Sequence, residues 1–315
     1  MQANQWLRRF RIDITSNSNR LYANGRQQVK VSITLEAREG QTISSASLNS
    51  LRLFVLDDDG AVIDLTHTDT ANTGLKAATR RDERFEYHAH HPQIHTRSLS
   101  RSLSSSLKVL RRHFYVSSTL PGGTLSTLHA RIQKDDDTWF DTLVAPFVSS
   151  VEIESISPLR LDETHFELDR EDAHDHENYD LDLWYLRFIN PNFRIVANRS
   201  LKCPGGRHFS IQSTGYTSTT TVGQIHYISK IHTLHAFDIG KPPHWYSLDR
   251  KFHIALNAKP GAMTLLYARL TVRQRLVIDK RYESVWAVID QHGNEHTVKF
   301  RPMDGGKRIG FTTNF

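Results

Sequence analysis

The stretch EYHAHHPQIH sets His88, His90, His91 and His95 close together. On a β-strand, side chains at i and i+2 share a face, so His88 and His90 have the spacing of a bidentate metal pair. His174 and His176 repeat that spacing inside DREDAHDHENYD, and HYISKIHTLH adds His226, His232 and His235. A resident metal needs more than a pair. The sequence contains no HExxH, no HxH with a well-placed third ligand and no EF-hand loop. The competing reading is solvated histidines that titrate near neutrality. No cofactor is expected.

A second group is basic. Arg97, Arg101, Lys108, Arg111 and Arg112 are interleaved with serines. Such a run can meet phosphates of nucleic acid or of lipid headgroups. Stacking aromatics are not interleaved with it, so nucleic acid is not an expected partner. The plainer alternative is a solvated loop that pairs with an acidic stretch downstream.

Two further stretches invite a functional reading. HFSIQSTGYTSTTTVGQIHYISK, residues 208–230, is poor in charge and rich in Ser and Thr, the composition of hairpins inserted by β-pore-forming toxins. An ordinary hairpin with a Thr-rich turn has the same composition. Trp184, Tyr185, Trp245, Tyr246 and Trp286 could line a glycan- or protein-binding face, the alternative being the more frequent one of buried core rings. Trp245 and Tyr246 lie in KPPHWYSL, a proline-fixed loop where an exposed ring would anchor a glycan or protein. GxSxG, P-loop, GxGxxG and CxxC patterns are absent. The lone Cys203 allows no internal disulfide framework. The sequence therefore predicts a protein that is not an enzyme.

The elements that must position these groups are strands. In LYANGRQQVKVSITLEA, Val29, Val31, Ile33, Leu35 and Ala37 alternate with Lys30, Ser32, Thr34 and Glu36 behind an Asn24-Gly25 turn. Phe10, Ile12 and Ile14 alternate in the same way. Asp59-Gly60, Pro121–Gly123, Asp135–Asp137 and His292–Asn294 punctuate similar runs. Helical signals are few, the best being SRSLSSSLKVLRR over Ser100–Arg112. This predicts an all-β chain of two β-sandwich-like domains. The first spans 8–148 and carries a long polar insertion over 66–107. An acidic connector follows over 149–182, and a second β-rich domain over 183–315.

Composition agrees with small sandwiches: 38% hydrophobic, 23% charged and a net charge of +6. That net value hides an asymmetry, since Glu152–Asp182 holds twelve carboxylates against Arg160 and Arg170. Such charge blocks mark solvated linkers or docking surfaces. No run approaches 18 apolar residues, so no transmembrane helix is expected. The first residues lack the apolar stretch of a signal peptide, which predicts a cytoplasmic protein or one exported without a cleaved signal.

ANGRQQVKVSITLEA, then VLDDDGAVI, then HFYVSSTLPGGTLSTLHARIQKDDDTWFDT follow one another as turn, alternating strand, acidic-Gly turn and closing strands. In that order residues 10–147 resemble bacterial immunoglobulin-like domains of the invasin/intimin kind. The resemblance implies a binding or scaffold role without an active site. The expected function is presentation of loops to a protein or glycan partner, in a phage-like or secretion-associated assembly; a homo-oligomer is a further expected partner. The alternatives are a pore-forming toxin using 208–230 and a histidine-based metalloenzyme using His88, His90, His174 and His176.

Overall fold

The computed structural model describes residues 3–68, 73–89, 109–176, 179–202, 208–209, 218–225, 233–238, 251–256, 258–272, 284–303 and 308–315. Its chain divides into two compact units, Met1–Leu159 and Arg160–Phe315. Both are built of strands, and the all-β, sandwich-like class holds.

The first unit opens with a short helix, α1 (Ala3–Trp6). It continues through β1 (Leu7–Ile14), β2 (Arg20–Tyr22), β3 (Val29–Ala37), helix α2 (Ser45–Ser50), β4 (Arg52–Leu56) and β5 (Val62–Asp64). β6 (Leu75–Ala78), β7 (Val109–Ser118), β8 (Leu125–Gln133), β9 (Trp139–Asp141) and β10 (Val151–Ile156) complete it. One sheet runs β1-β3-β7-β6 and the other β2-β10-β8-β4-β5, with β9 also on β8. Lettered in chain order, this is the A-B-E-D and A′-G-F-C-C′ arrangement of immunoglobulin-like sandwiches. β9 and β10 act as one final strand in two pieces. They take the same edge of β8, at Arg131–Gln133 and at Leu125–Leu128, and the chain loops out between them.

The Asn24-Gly25 turn does not close a hairpin. It carries the chain from β2 in one sheet to β3 in the other. The Asn24 side-chain oxygen accepts from the amides of Arg26 (2.9 Å) and Gln27 (3.0 Å), and Gly25 adopts φ +70°. A side chain there would sit in the left-handed region and press on Thr119 at 3.1 Å. Gly25→Ala is therefore expected to cost about 1–2 kcal/mol, readable as a lowered midpoint in thermal denaturation.

β3 buries Val29, Val31, Ile33 and Leu35 as its alternation requires, in a core shared with Leu53, Leu128, Ala130, Ile132 and Ile153 of the other sheet. Its polar face is drier than the alternation predicts. Ser32 is covered by Thr15 and His113, and Glu36 by Arg8 and Arg9. The polar segment 66–107 is not all loop, since it contains β6, whose Leu75 and Ala77 are buried. The helix suggested over Ser100–Arg112 is overturned where it is described. Residues 109–112 are strand, because pairing with β3 overrides a weak helical pattern.

The second unit contains β11 (Phe166–His176), β12 (Tyr179–Phe188), β13 (Ile195–Lys202), β14 (His208–Phe209), β15 (Ser218–Ile225) and β16 (Thr233–Asp238). It ends with β17 (Lys251–Leu256), β18 (Met263–Val272), β19 (Ser284–Asp290), β20 (Glu295–Met303) and β21 (Arg308–Thr312). The sheets run β11-β12-β18-β15-β14 and β13-β19-β20-β21, with a separate β16-β17 pair. Trp184, Leu186, Phe188, Leu265 and Tyr267 of the first meet Ile195, Trp286, Val288, Val298 and Phe300 of the second. Residues 149–182 are shared out: Val151–Ile156 is a strand of the first unit and Phe166–His176 a strand of the second. No helix among the described residues is long and apolar enough to cross a membrane.

Candidate functional site

Strand pairing gathers basic side chains from distant parts of the sequence onto one sheet face. Across β1-β3-β7, Arg11 stands opposite Thr34 and Thr34 opposite Arg111. On one side of that row come Arg9, Glu36 and Val109, and on the other Asp13, Ser32 and His113. Lys30 follows opposite Tyr115, and Lys76 of β6 opposite Ser117. All lie on the outer face, because the partners of alternate residues fill the core.

The arginines of β1 are partly neutralised. A register shift between Leu7 and Arg9 brings Arg8 and Arg9 to the same buried carboxylate. Arg8 Nη1 lies 3.3 Å and Arg9 Nε 3.8 Å from Glu36. Arg11 Nη2 lies 2.6 Å from Asp13. Lys30, Lys76, Arg111 and Arg112, by contrast, form no ion pair with any described residue. Arg112 is paired with Ile33 and so leaves the sheet on the other side from Arg111. There it borders a cleft with Asn49, Arg52, Thr79 and Tyr115. His113 senses the local field: burial, then Lys30 and Arg111, push its imidazole below the usual range.

The same face contains a serine beside a histidine, which invites a nucleophile reading. Ser32 Oγ lies 2.8 Å from His113 Nδ1 and 2.5 Å from Thr15 Oγ1. Ser32 is buried, and the one nearby acid in the row, Asp13, stands across from the serine on the strand away from His113. Among the described residues no acid orients the imidazole, as a triad requires. The three groups satisfy one another, with Ser32 buried, His113 half-buried and Thr15 exposed.

The second unit offers two charged clusters. Asp172, Asp180 and Asp182 place carboxylate oxygens within 4.8 Å of one another, the one group of metal-like spacing among the described residues. Arg170 Nη2 sits 2.9 Å from Asp172, 3.7 Å from Asp180 and 2.9 Å from Asp182, so a guanidinium already supplies positive charge there. Burial pushes the Asp182 carboxyl up, against the pull of Arg170. At the β19–β20 turn, Asp290 Oδ2 pairs with His296 Nε2 at 3.3 Å, both fully buried. His296 Nδ1 accepts from the amide of Leu161 at 3.3 Å, which leaves neither ring nitrogen open to substrate. This pair organises the turn.

Of the residues singled out in the sequence, Arg111 and Arg112 are exposed on β7. His174 and His176 lie on β11, paired with Leu181 and Tyr179 of β12. His88 is half-buried against Tyr22, with ring centroids 5.4 Å apart. His90, His91, His95, Arg97, Arg101, Lys108, Cys203, Trp245 and Tyr246 lie outside the described residues. Trp184, Tyr185 and Trp286 are buried in the second unit, the core alternative for these rings. Within 208–230, the described Ser218–Ile225 pairs with β18 along its length and with β14 on its other edge. Arg9, Arg11, Lys30 and Lys76 escaped the sequence reading, since their only signal is strand register.

A scan against protein-family models finds no match, and a search of curated proteins finds none.

Proposed function

We propose that the protein is a non-enzymatic binding module whose first sandwich engages an acidic protein surface through the β1-β3-β7-β6 face. The observation that carries this reading is the set of Lys30, Lys76 and Arg111, which no described carboxylate neutralises. Positive charge on a flat sheet steers an anionic partner and fixes its orientation more than it adds affinity. The A-B-E-D order and the resemblance to invasin/intimin-type domains support a scaffold role.

Poly-glutamate is a defined probe of this face. The wild-type protein is expected to bind it at low ionic strength, with affinity falling as salt screens the charges. Lys30→Glu/Arg111→Glu should weaken binding by at least about tenfold while leaving the melting temperature unchanged. Equal binding by the double variant would overturn the reading. Preferential retention on heparin would redirect it to a sulfated glycan. The same preparation tests the alternatives, through dye leakage from vesicles for 208–230 and metal analysis of untagged protein for the histidines.

A further inference from the structure

Among the edge strands of the described sheets, β1 and β11 stand out by charge, and β1 carries Ser149 on its free side only at Ile12. β1 pairs only with β3, and β11 only with β12. Unpaired edges recruit other strands, and like charges along an edge discourage it from pairing with its own kind. Here the two edges carry opposite sign. β1 has Arg8, Arg9 and Arg11 against Asp13, while β11 has five carboxylates against Arg170, with Arg187 of β12 at 2.7 Å from both Glu167 and Asp169. Each charge pattern blocks pairing between identical edges and leaves the unlike pair permitted.

The backbone selects a register. The Ile12 amide donates to Ser149 Oγ at 3.2 Å, and the Ser149 hydroxyl lies 3.3 Å from the Ile12 carbonyl. The Thr15 amide instead donates to Lys30 on β3. By the alternation of an antiparallel ladder, Phe10 therefore turns its amide and carbonyl to the open side, as Ile12 does. On β11, the His165 carbonyl accepts from Ile189 beside β12, so the even residues Phe166 and Leu168 face outward. Setting Phe10 opposite Leu168 then places Arg9 opposite Asp169 and Arg11 opposite Glu167. Ile12 falls opposite Phe166, at the point where Ser149 now occupies the edge. Apolar meets apolar on one face and opposite charges meet on the other, as stable cross-strand pairs require. A shift of two residues keeps Arg9 and Arg11 opposite carboxylates, at Glu171 and Asp169, but sets Phe10 against Arg170 and loses that apolar pair.

We infer that β1 of one copy pairs antiparallel with β11 of a second copy, in the register Phe10 to Leu168. Such a contact joins different surfaces. It closes into a dimer or ring, or propagates as a filament, according to the rotation between copies. It shares Arg9 and Arg11 with the binding face proposed above but does not depend on Lys30 or Arg111.

Sedimentation velocity over a range of protein concentrations tests this. The wild-type mass is expected to rise to two or more copies at low salt and return to one at high salt. Arg9→Glu/Arg11→Glu should be monomeric, as should Glu167→Lys/Asp169→Lys. An equimolar mixture of the two should assemble again, because each then offers the edge the other lacks. A wild-type protein that stays monomeric at every concentration and salt overturns the inference. So do variants that assemble as the wild type does, or a mixture of well-folded variants that stays monomeric. If a variant fails to fold, the salt-dependent mass of the wild type and the single Arg11→Ser change decide. Loss of poly-glutamate binding in Lys30→Glu/Arg111→Glu with self-assembly intact separates the two proposals.

Discussion

Asp290→Ala is expected to cost the second sandwich about 3 kcal/mol or more, since each buried donor left without its acceptor costs about 1–3 kcal/mol. The Asp290 carboxylate accepts from the amides of His292 (2.8 Å) and Asn294 (2.9 Å), from Asn294 Nδ2 (3.1 Å) and from His296 Nε2 (3.3 Å). All four donors would be stranded without solvent. The loss would spread through Gln291, whose side chain accepts from the Arg194 amide at 2.8 Å and donates to the Asn192 carbonyl at 2.7 Å. Asp290→Asn retains one acceptor oxygen and should cost less. Urea unfolding followed by tryptophan fluorescence measures both.

The same residue sets an acid limit. Burial raises the Asp290 carboxyl, but hydrogen bonds from His296 and then Asn294 outweigh it and hold the group below its usual 3.8. A carboxyl lowered by folding stabilises the protein above the unfolded value, and that contribution is lost as pH falls through the folded one. Stability should therefore decline below about pH 4 in the wild type and decline less in Asp290→Asn.

Trp6→Ala should lower the stability of the first sandwich by about 3–5 kcal/mol. Trp6 is 1% exposed, donates its indole N–H to the Thr42 carbonyl at 2.9 Å and lies 5.3 Å from the Phe140 ring. Its removal opens a cavity and strands a carbonyl. Trp139→Ala is the matched comparison. Trp139 is 42% exposed beneath the Arg131 guanidinium, which Asp64 already holds in a fork at 2.7 and 2.6 Å. An exposed cation–π contact is worth about 0.5–1 kcal/mol, so its loss should shift the urea midpoint only slightly.

Period-two alternation exposed Val29 to Leu35 as a core-facing strand, because burial on one face leaves its mark in consecutive residues. The turns at Asp59-Gly60 and His292–Asn294 were equally plain, since Gly60 and Gly293 take φ +78° and +82°, where glycine costs least. Which strands pair was not legible, for register is decided by residues far apart in the chain. The Arg11–Thr34–Arg111 row joins three such segments, and no local pattern announces it. Nor does alternation say how deeply a polar residue is covered, as Ser32 and Glu36 show.

The parallel pairing of β2 with β10 has a consequence for how the protein is made. Arg20 bonds Glu154 at 3.0 Å across 134 residues of chain, and Ser155 aligns with Leu21. During synthesis at roughly 5–20 residues per second, the second sheet of this sandwich cannot close until the whole unit has left the ribosome. For several seconds the nascent chain holds finished strands without the one that seals them. In that interval Ile12 lacks Ser149, the residue that later meets its amide and carbonyl.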